Sequence, residues 1–147
     1  VFFKMSVVED ARLCASIGTR DGGVAAMHDA TEYGIWGGLH EFAKAAGLGL
    51  VVHCDEIVWT PGVKEVCEEF GIEPFSSISE GTLIAAVRPH AAAEALRRLA
   101  DAGIAASICG EMTEAAAGIR VVEGAREREL QHPGVDPFWA AFYNALR

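Results

Sequence analysis

Basic residues are scarce in this 147-residue chain: 12 Lys and Arg stand against 21 Asp and Glu, giving a formal net charge of −9 and a pI near 4.9. Nucleic acids are bound through clustered Lys and Arg, and no such cluster occurs, so a nucleic-acid partner is disfavoured. Long apolar runs are missing too, and none approaches the ~20 residues of a membrane-spanning helix. Cysteine is sparse: Cys14, Cys54, Cys67 and Cys109 form no C-x-x-C pair, and each falls inside an apolar or amphipathic run. That pattern fits buried, reduced thiols of a cytoplasmic protein. A zinc site drawn from His28, His53, Cys54 and Cys67 would lack the usual local ligand pairs, so no metal ligands are assigned. The start, Val1-Phe2-Phe3-Lys4, has no basic region ahead of a long apolar one, which argues against a signal peptide. An apolar tripeptide ahead of Met5 suggests a chain cut from something longer. No internal repeat, low-complexity segment or linker divides the sequence. The remainder, 51% apolar and 22% charged, reads as one globular domain, small for an enzyme that must enclose a nucleotide and a second substrate.

The organising stretch is Met27-His28-Asp29-Ala30-Thr31-Glu32-Tyr33-Gly34-Ile35-Trp36-Gly37-Gly38-Leu39-His40-Glu41. An apolar run, Val24 to Met27, stops at two polar residues, and Ile35, Leu39, Phe42 and Ala46 then recur with helical spacing. Asp29 is placed to cap this helix with Glu32 answering, or Thr31 caps it instead. Gly34, Gly37 and Gly38 each cost roughly 1 kcal/mol relative to alanine inside a helix. Either another backbone or a ligand must therefore approach closely, and a helix N-terminus attracts anions.

Around this junction helices and strands alternate. Ser6 to Ile17 reads as a helix with a Ser6/Glu9 capping box, ended by Gly18. Strands are expected at Leu48–Cys54, Thr82–Val87, Ile104–Cys109 and Ala117–Val122, the last paired with its predecessor. Gly110-Glu111 reads as a break. Thr60-Pro61 opens a helix whose stripe is Val63, Val66, Cys67 and Phe70, and Pro89 opens another that Gly103 closes. Asp55 and Glu56 lie in a loop, and Glu123 to Leu130 is a charged stretch without a stripe. Asp136-Pro137 begins a short capped helix carrying four aromatics, which should dock on the body or on a partner. Glu80-Gly81, at the lip of a buried strand, can aim a carboxylate across a cleft or form an ordinary turn. The fold class is α/β in the α+β sense: a three-layer α/β/α sandwich on a mixed sheet of about four strands.

In combination, Met27 to Glu32, Gly34, Gly37-Gly38-Leu39, Glu41 and Ala45-Ala46-Gly47-Leu48-Gly49 resemble the C-terminal domain of the AIR synthase (PurM), HypE and selenophosphate synthetase superfamily. Pro61 to Gly71, Ser79-Glu80-Gly81-Thr82-Leu83 and Ala102-Gly103-Ile104 leading to Gly110-Glu111-Met112-Thr113-Glu114 follow in the same order, so the resemblance runs from about Ser6 to Val122. It implies a partly ferredoxin-like unit that works with an N-terminal domain, not found in this sequence, which forms the dimer core and holds Mg2+ and ATP. Such enzymes phosphorylate a substrate oxygen, so this chain would close the active site over a small-molecule substrate in a homodimer and be inactive alone. By resemblance His28, Asp29 and Glu80 are the catalytic candidates. Thr31, Glu32, Gly34, Gly37, Gly38 and Gly81 are the candidates for holding substrate or phosphate. The end, Asn144-Ala145-Leu146-Arg147, departs from the hydrogenase-maturation members, which carry their group on a terminal cysteine. The alternative is a stand-alone small-ligand or protein-binding module that keeps the fold without catalysis.

Overall fold

In the computed structural model, which describes residues 5–146, the strands sort into two sheets rather than one. Residues 1–4 and 147, with the apolar start Val1-Phe2-Phe3-Lys4, lie outside the described residues. Strand β1 (Val24–Ala30) pairs antiparallel with β3 (Thr82–Val87) as a two-stranded ribbon, Met27 opposite Ala85 and Asp29 opposite Leu83. The second sheet is mixed and four-stranded, in the order β4 (Gly110–Thr113), β2 (Gly49–His53), β5 (Ile119–Glu123), β6 (Arg126–Glu129). Only the β2–β5 pair is parallel.

Helix α2 (Gly34–Ala46) touches β1 and β3 on one side and β2 on the other, and 7 of its 13 residues are buried because it is apolar toward both sheets. Trp36, Leu39 and Ala43 join Leu50, Val52, Ile119, Val121 and Leu130 in the main core. Against the ribbon, α1 (Val8–Ala15) and α4 (Pro89–Asp101) close a smaller core at Cys14, Val24 and Leu99. The mixed α+β architecture is the one expected, with the sheet of about four strands joined by a ribbon. No helix among the described residues is long and apolar enough to cross a membrane.

Several local expectations are corrected. Ile104 to Cys109 is irregular, and the strand begins where a break was expected, at Gly110. A side chain at Gly110 would collide with the backbone oxygen of Val51, so the glycine is what lets β4 close on β2. The last apolar strand, β5, does not pair with its predecessor, because β2 lies between them. The charged stretch after it forms a hairpin through Gly124, at φ +58, and β6 is an edge strand. Its cross-strand pairs Arg120–Glu127 and Arg128–Glu123 give a charged edge of the kind that discourages further strand addition.

The Ser6/Glu9 box does not form: Val7 is the cap residue of α1, with no side-chain cap bond, and Ser6 Oγ accepts a long bond from the Val8 amide at 3.4 Å. Helix α3 (Val63–Glu69) starts after Gly62, at φ +90, two residues beyond the expected cap. Of its expected buried stripe only Cys67 is buried, while Val63, Val66 and Phe70 are exposed. The spacing is helical as read, but of this stripe only Cys67 is covered.

Candidate functional site

The junction between β1 and α2 is built by contacts that sequence spacing does not display. Asp29 does not cap α2; it lies within β1, with Leu83 opposite. The residue before the helix is Tyr33, in the left-handed region at φ +63, followed by Gly34 at φ +62. The Tyr33 amide donates to Asp136 Oδ2 at 2.8 Å, and the Phe138 amide donates to Asp136 Oδ1 at 2.9 Å. Asp136 is only 3% exposed, and its carboxylate joins the starts of α2 and α5 (Pro137–Ala145). Other first-turn donors are also taken: the amides of Gly34, Trp36 and Gly37 donate to the carbonyls of Thr31, Phe75 and Tyr33. An external phosphate would have to displace these acceptors to use the same donors.

Each helix glycine has a distinct neighbour. A Cβ on Gly34 would run into the Phe75 carbonyl and lie 2.6 Å from that of Ser77; on Gly37 it would meet Tyr33 Cβ at 2.5 Å; on Gly38 it would meet Ala30 Cβ at 2.8 Å and Ile84 Cδ1 at 3.0 Å. Of the two explanations that the sequence left open, close approach by the chain itself accounts for all three.

The other candidates separate into two groups. Ser79 clasps the end of β1: its amide donates to the Thr31 carbonyl at 3.0 Å and its hydroxyl to the Ala30 carbonyl at 3.1 Å. This brings the loop carrying Glu80 and Gly81 beside Asp29, Thr31 and Glu32, all of them exposed. Among the described residues no side chain is ion-paired with Asp29, Glu32 or Glu80. These carboxylates are exposed, and among the described residues they form no cluster placed to hold a metal ion by themselves. His28 belongs elsewhere, since adjacent strand residues face opposite sides. Its Nε2 lies 3.1 Å from Glu41 Oε2, on the α2 side of the ribbon. His132 Nε2 lies 4.0 Å from the other oxygen of Glu41, and the His132 ring packs edge-on against Tyr33 at 4.8 Å and His40 at 5.3 Å. Burial, then His132 and Lys44, lower the pKa of His40.

No group of three or more His, Cys, Asp and Glu side chains among the described residues is placed to hold a metal ion. Two clefts of about 410 and 360 Å³ share Glu123; the first reaches Trp36 in the opening turn of α2, and the second reaches Phe75 beside it. In the first, Arg128 lies 5.7 Å over Trp36; in the second, Lys64 lies 4.5 Å over Trp59. Cys54 lines the second, its thiol pushed up to about 11 by burial and then by Glu123. Sequence reasoning missed Asp136, Ser79 and the Glu41–His132 contact as parts of the junction. Only Asp136 had a local signal, as the cap of its own helix.

Comparisons with known proteins agree with this architecture. The chain is 36% identical over 94 residues to the carbamoyl dehydratase HypE of Escherichia coli K12, covering 63% of this chain and 28% of that protein. The fold superposes on the crystal structure of E. coli HypE with a TM-score of 0.76 and 30% identity, covering 89% of this chain and 40% of that one. It also superposes on a hydrogenase maturation protein HypE solved in complex with ATP, with a TM-score of 0.70, 21% identity and coverage of 83% and 41%, a likeness of fold. The chain thus spans well under half the length of these proteins. Residues 1–123 match the family of AIR synthase related protein C-terminal domains, and the chain belongs to that family.

Proposed function

We propose that this chain is the C-terminal domain of an ATP-dependent enzyme of the AIR synthase and HypE group, and that it closes one side of the active site over a small-molecule substrate. The observation that carries the proposal is the family match over residues 1–123, together with the clasp that sets Asp29, Thr31 and Glu32 beside Glu80 and Gly81. The relatives are much longer than this chain, which supports a further domain; in this reading that domain is N-terminal and holds Mg2+ and ATP, in a cytoplasmic homodimer. ATP supplies the phosphoryl group that activates a substrate oxygen. In such transfers positioning and charge stabilisation dominate.

Within this division of labour, Asp29 from the end of β1 and Glu80 from the adjoining loop orient the substrate or the cation-bound phosphate, while Thr31, Glu32 and Gly81 shape the edge between them. His28, turned toward Glu41, acts on the opposite face of the ribbon and supports the junction. Gly34, Gly37 and Gly38 let the helix lie close to the chain beneath it.

Two measurements test this. Calorimetry of the 147-residue chain with Mg-ATP should give no saturable binding, whereas saturable binding of a small ligand without ATP would favour a stand-alone module. In the natural polypeptide, Asp29→Ala and Glu80→Ala should each lower ATP turnover by about 10²-fold or more, as expected for groups that orient the reacting atoms. Unchanged turnover in both would sink the assignment.

A further inference from the structure

We propose that Asp136 is a positioning residue for the β1–α2 junction, acting as a cap shared by two helices and supplied by a segment outside the matched family domain. The family match ends at residue 123, yet the carboxylate that receives the Tyr33 amide comes from 103 residues farther along the chain. Its two oxygens are divided, Oδ2 to Tyr33 at 2.8 Å and Oδ1 to Phe138 at 2.9 Å, so removing it releases two helix starts at once.

The location gives this contact its consequence. Tyr33 and Gly34 are consecutive left-handed residues, and Tyr33 is one of two non-glycine residues with positive φ among those described. A tyrosine holds that conformation only where its surroundings fix it. Here the surroundings are the Asp136 carboxylate on its amide, the Gly37 surface beneath its Cβ and the His132 ring at 4.8 Å. Two of those three come from residues 131–138. Thr31, two residues before Tyr33, passes the geometry on, because its carbonyl receives the Gly34 and Ser79 amides. Asp136 therefore sets how Asp29, Thr31 and Glu32 stand relative to Glu80. Helix α5 contributes no buried residue of its own, and Asp136, one residue before it, is the buried polar anchor of the segment.

The test is amide hydrogen exchange, followed by NMR on the full 147-residue chain. Asp136→Asn keeps one oxygen to accept from Phe138 but turns an NH2 donor toward the Tyr33 amide. Exchange at Tyr33 should rise by about tenfold or more, the loss expected for a charge-assisted bond, with shifts at Gly34 and Ser79 while Phe138 stays protected. Adding Tyr33→Gly, which adopts positive φ without help, should restore Gly34 and Ser79 toward their original protection. Unchanged exchange at Tyr33 in Asp136→Asn overturns the proposal. So does a uniform loss of protection along the chain in both Asp136→Asn and Asp136→Ser, which would assign Asp136 to general stability. The consequence for catalysis rests on the junction being the phosphoryl-transfer site. Because the exchange pattern is measured without ATP, failure of the clamp and failure of that assignment appear in different experiments.

Discussion

Gly34→Ala is the substitution that most directly tests how the junction is packed. Gly34 sits at φ +62, where an L side chain costs roughly 1–2 kcal/mol. Its Cβ would also enter the space of the Phe75 and Ser77 carbonyls, which are backbone atoms and cannot swing aside. Overpacking of that kind adds about 1–3 kcal/mol, so the expected loss is about 2–5 kcal/mol. Gly47→Ala is the internal control: Gly47 has almost the same backbone angle, φ +64, but nothing lies within 4 Å of an added Cβ. It should lose only the conformational part, roughly 1–2 kcal/mol. Equilibrium urea unfolding followed by tryptophan fluorescence measures both, and Trp36, stacked on Phe75 at 4.3 Å, reports the local disturbance. Equal losses in the two variants, within about 0.5 kcal/mol, would refute the claim that the chain's own backbone requires glycine at 34.

Three further outcomes follow from the ionisable groups. With its thiol pushed up to about 11 by burial and then by Glu123, Cys54 is roughly one part in a thousand thiolate at pH 8, so iodoacetamide should label it far more slowly in the folded chain than in urea. Glu123→Gln, which removes the neighbouring carboxylate, should speed that labelling. His40, whose pKa is lowered by burial and then by His132, binds its proton less readily folded than unfolded. Stability should therefore fall as pH drops below about 6.5 toward the folded pKa, and His40→Gln should flatten that limb in urea titrations. Glu94, held down to about 2 by hydrogen bonds from Arg97 and then Arg98, contributes stability that is present above the ordinary carboxylate range and lost as pH falls toward 2. Its carboxyl resonance should titrate in that low range, and return to the ordinary one in an Arg97→Ala, Arg98→Ala chain.

What the sequence made legible was whatever is decided within a few residues. Val24 to Met27 lies in a strand, Ile35 to Ala46 in a helix that Gly47 ends, and Pro89 opens α4, because periodicity and the backbone limits of proline and glycine act locally. Strand pairing was not legible: nothing in the spacing of β4 and β5 shows that β2 inserts between them. The exposed stripe of α3 misled for a related reason. Helical spacing establishes that Val63, Val66 and Phe70 share a face, but not that another element will cover it. The carboxylates at the candidate site were legible one by one. Their grouping was not, since the Ser79 clasp joins residues 49 apart, and neighbouring positions on β1 send His28 and Asp29 to opposite faces.

The glycines of α2 show how the two levels combine. Their local cost in a helix pointed to an approach that needs bare backbone, and the partner turned out to differ at each position. Gly34 admits the carbonyls of residues 75 and 77, Gly37 admits the side chain of Tyr33, and Gly38 admits the ribbon through Ala30 and Ile84. Of the three, Gly38 is where the helix closes on the ribbon, while Gly34 and Gly37 make room for the loop and the turn at its start. The tyrosine over Gly37 is in turn held in a left-handed turn by Asp136. The geometry at the end of β1 thus follows from a close-packed helix start and a carboxylate that arrives from the far end of the chain. A substitution in either should be felt at Thr31 and Ser79 before it is felt in the core.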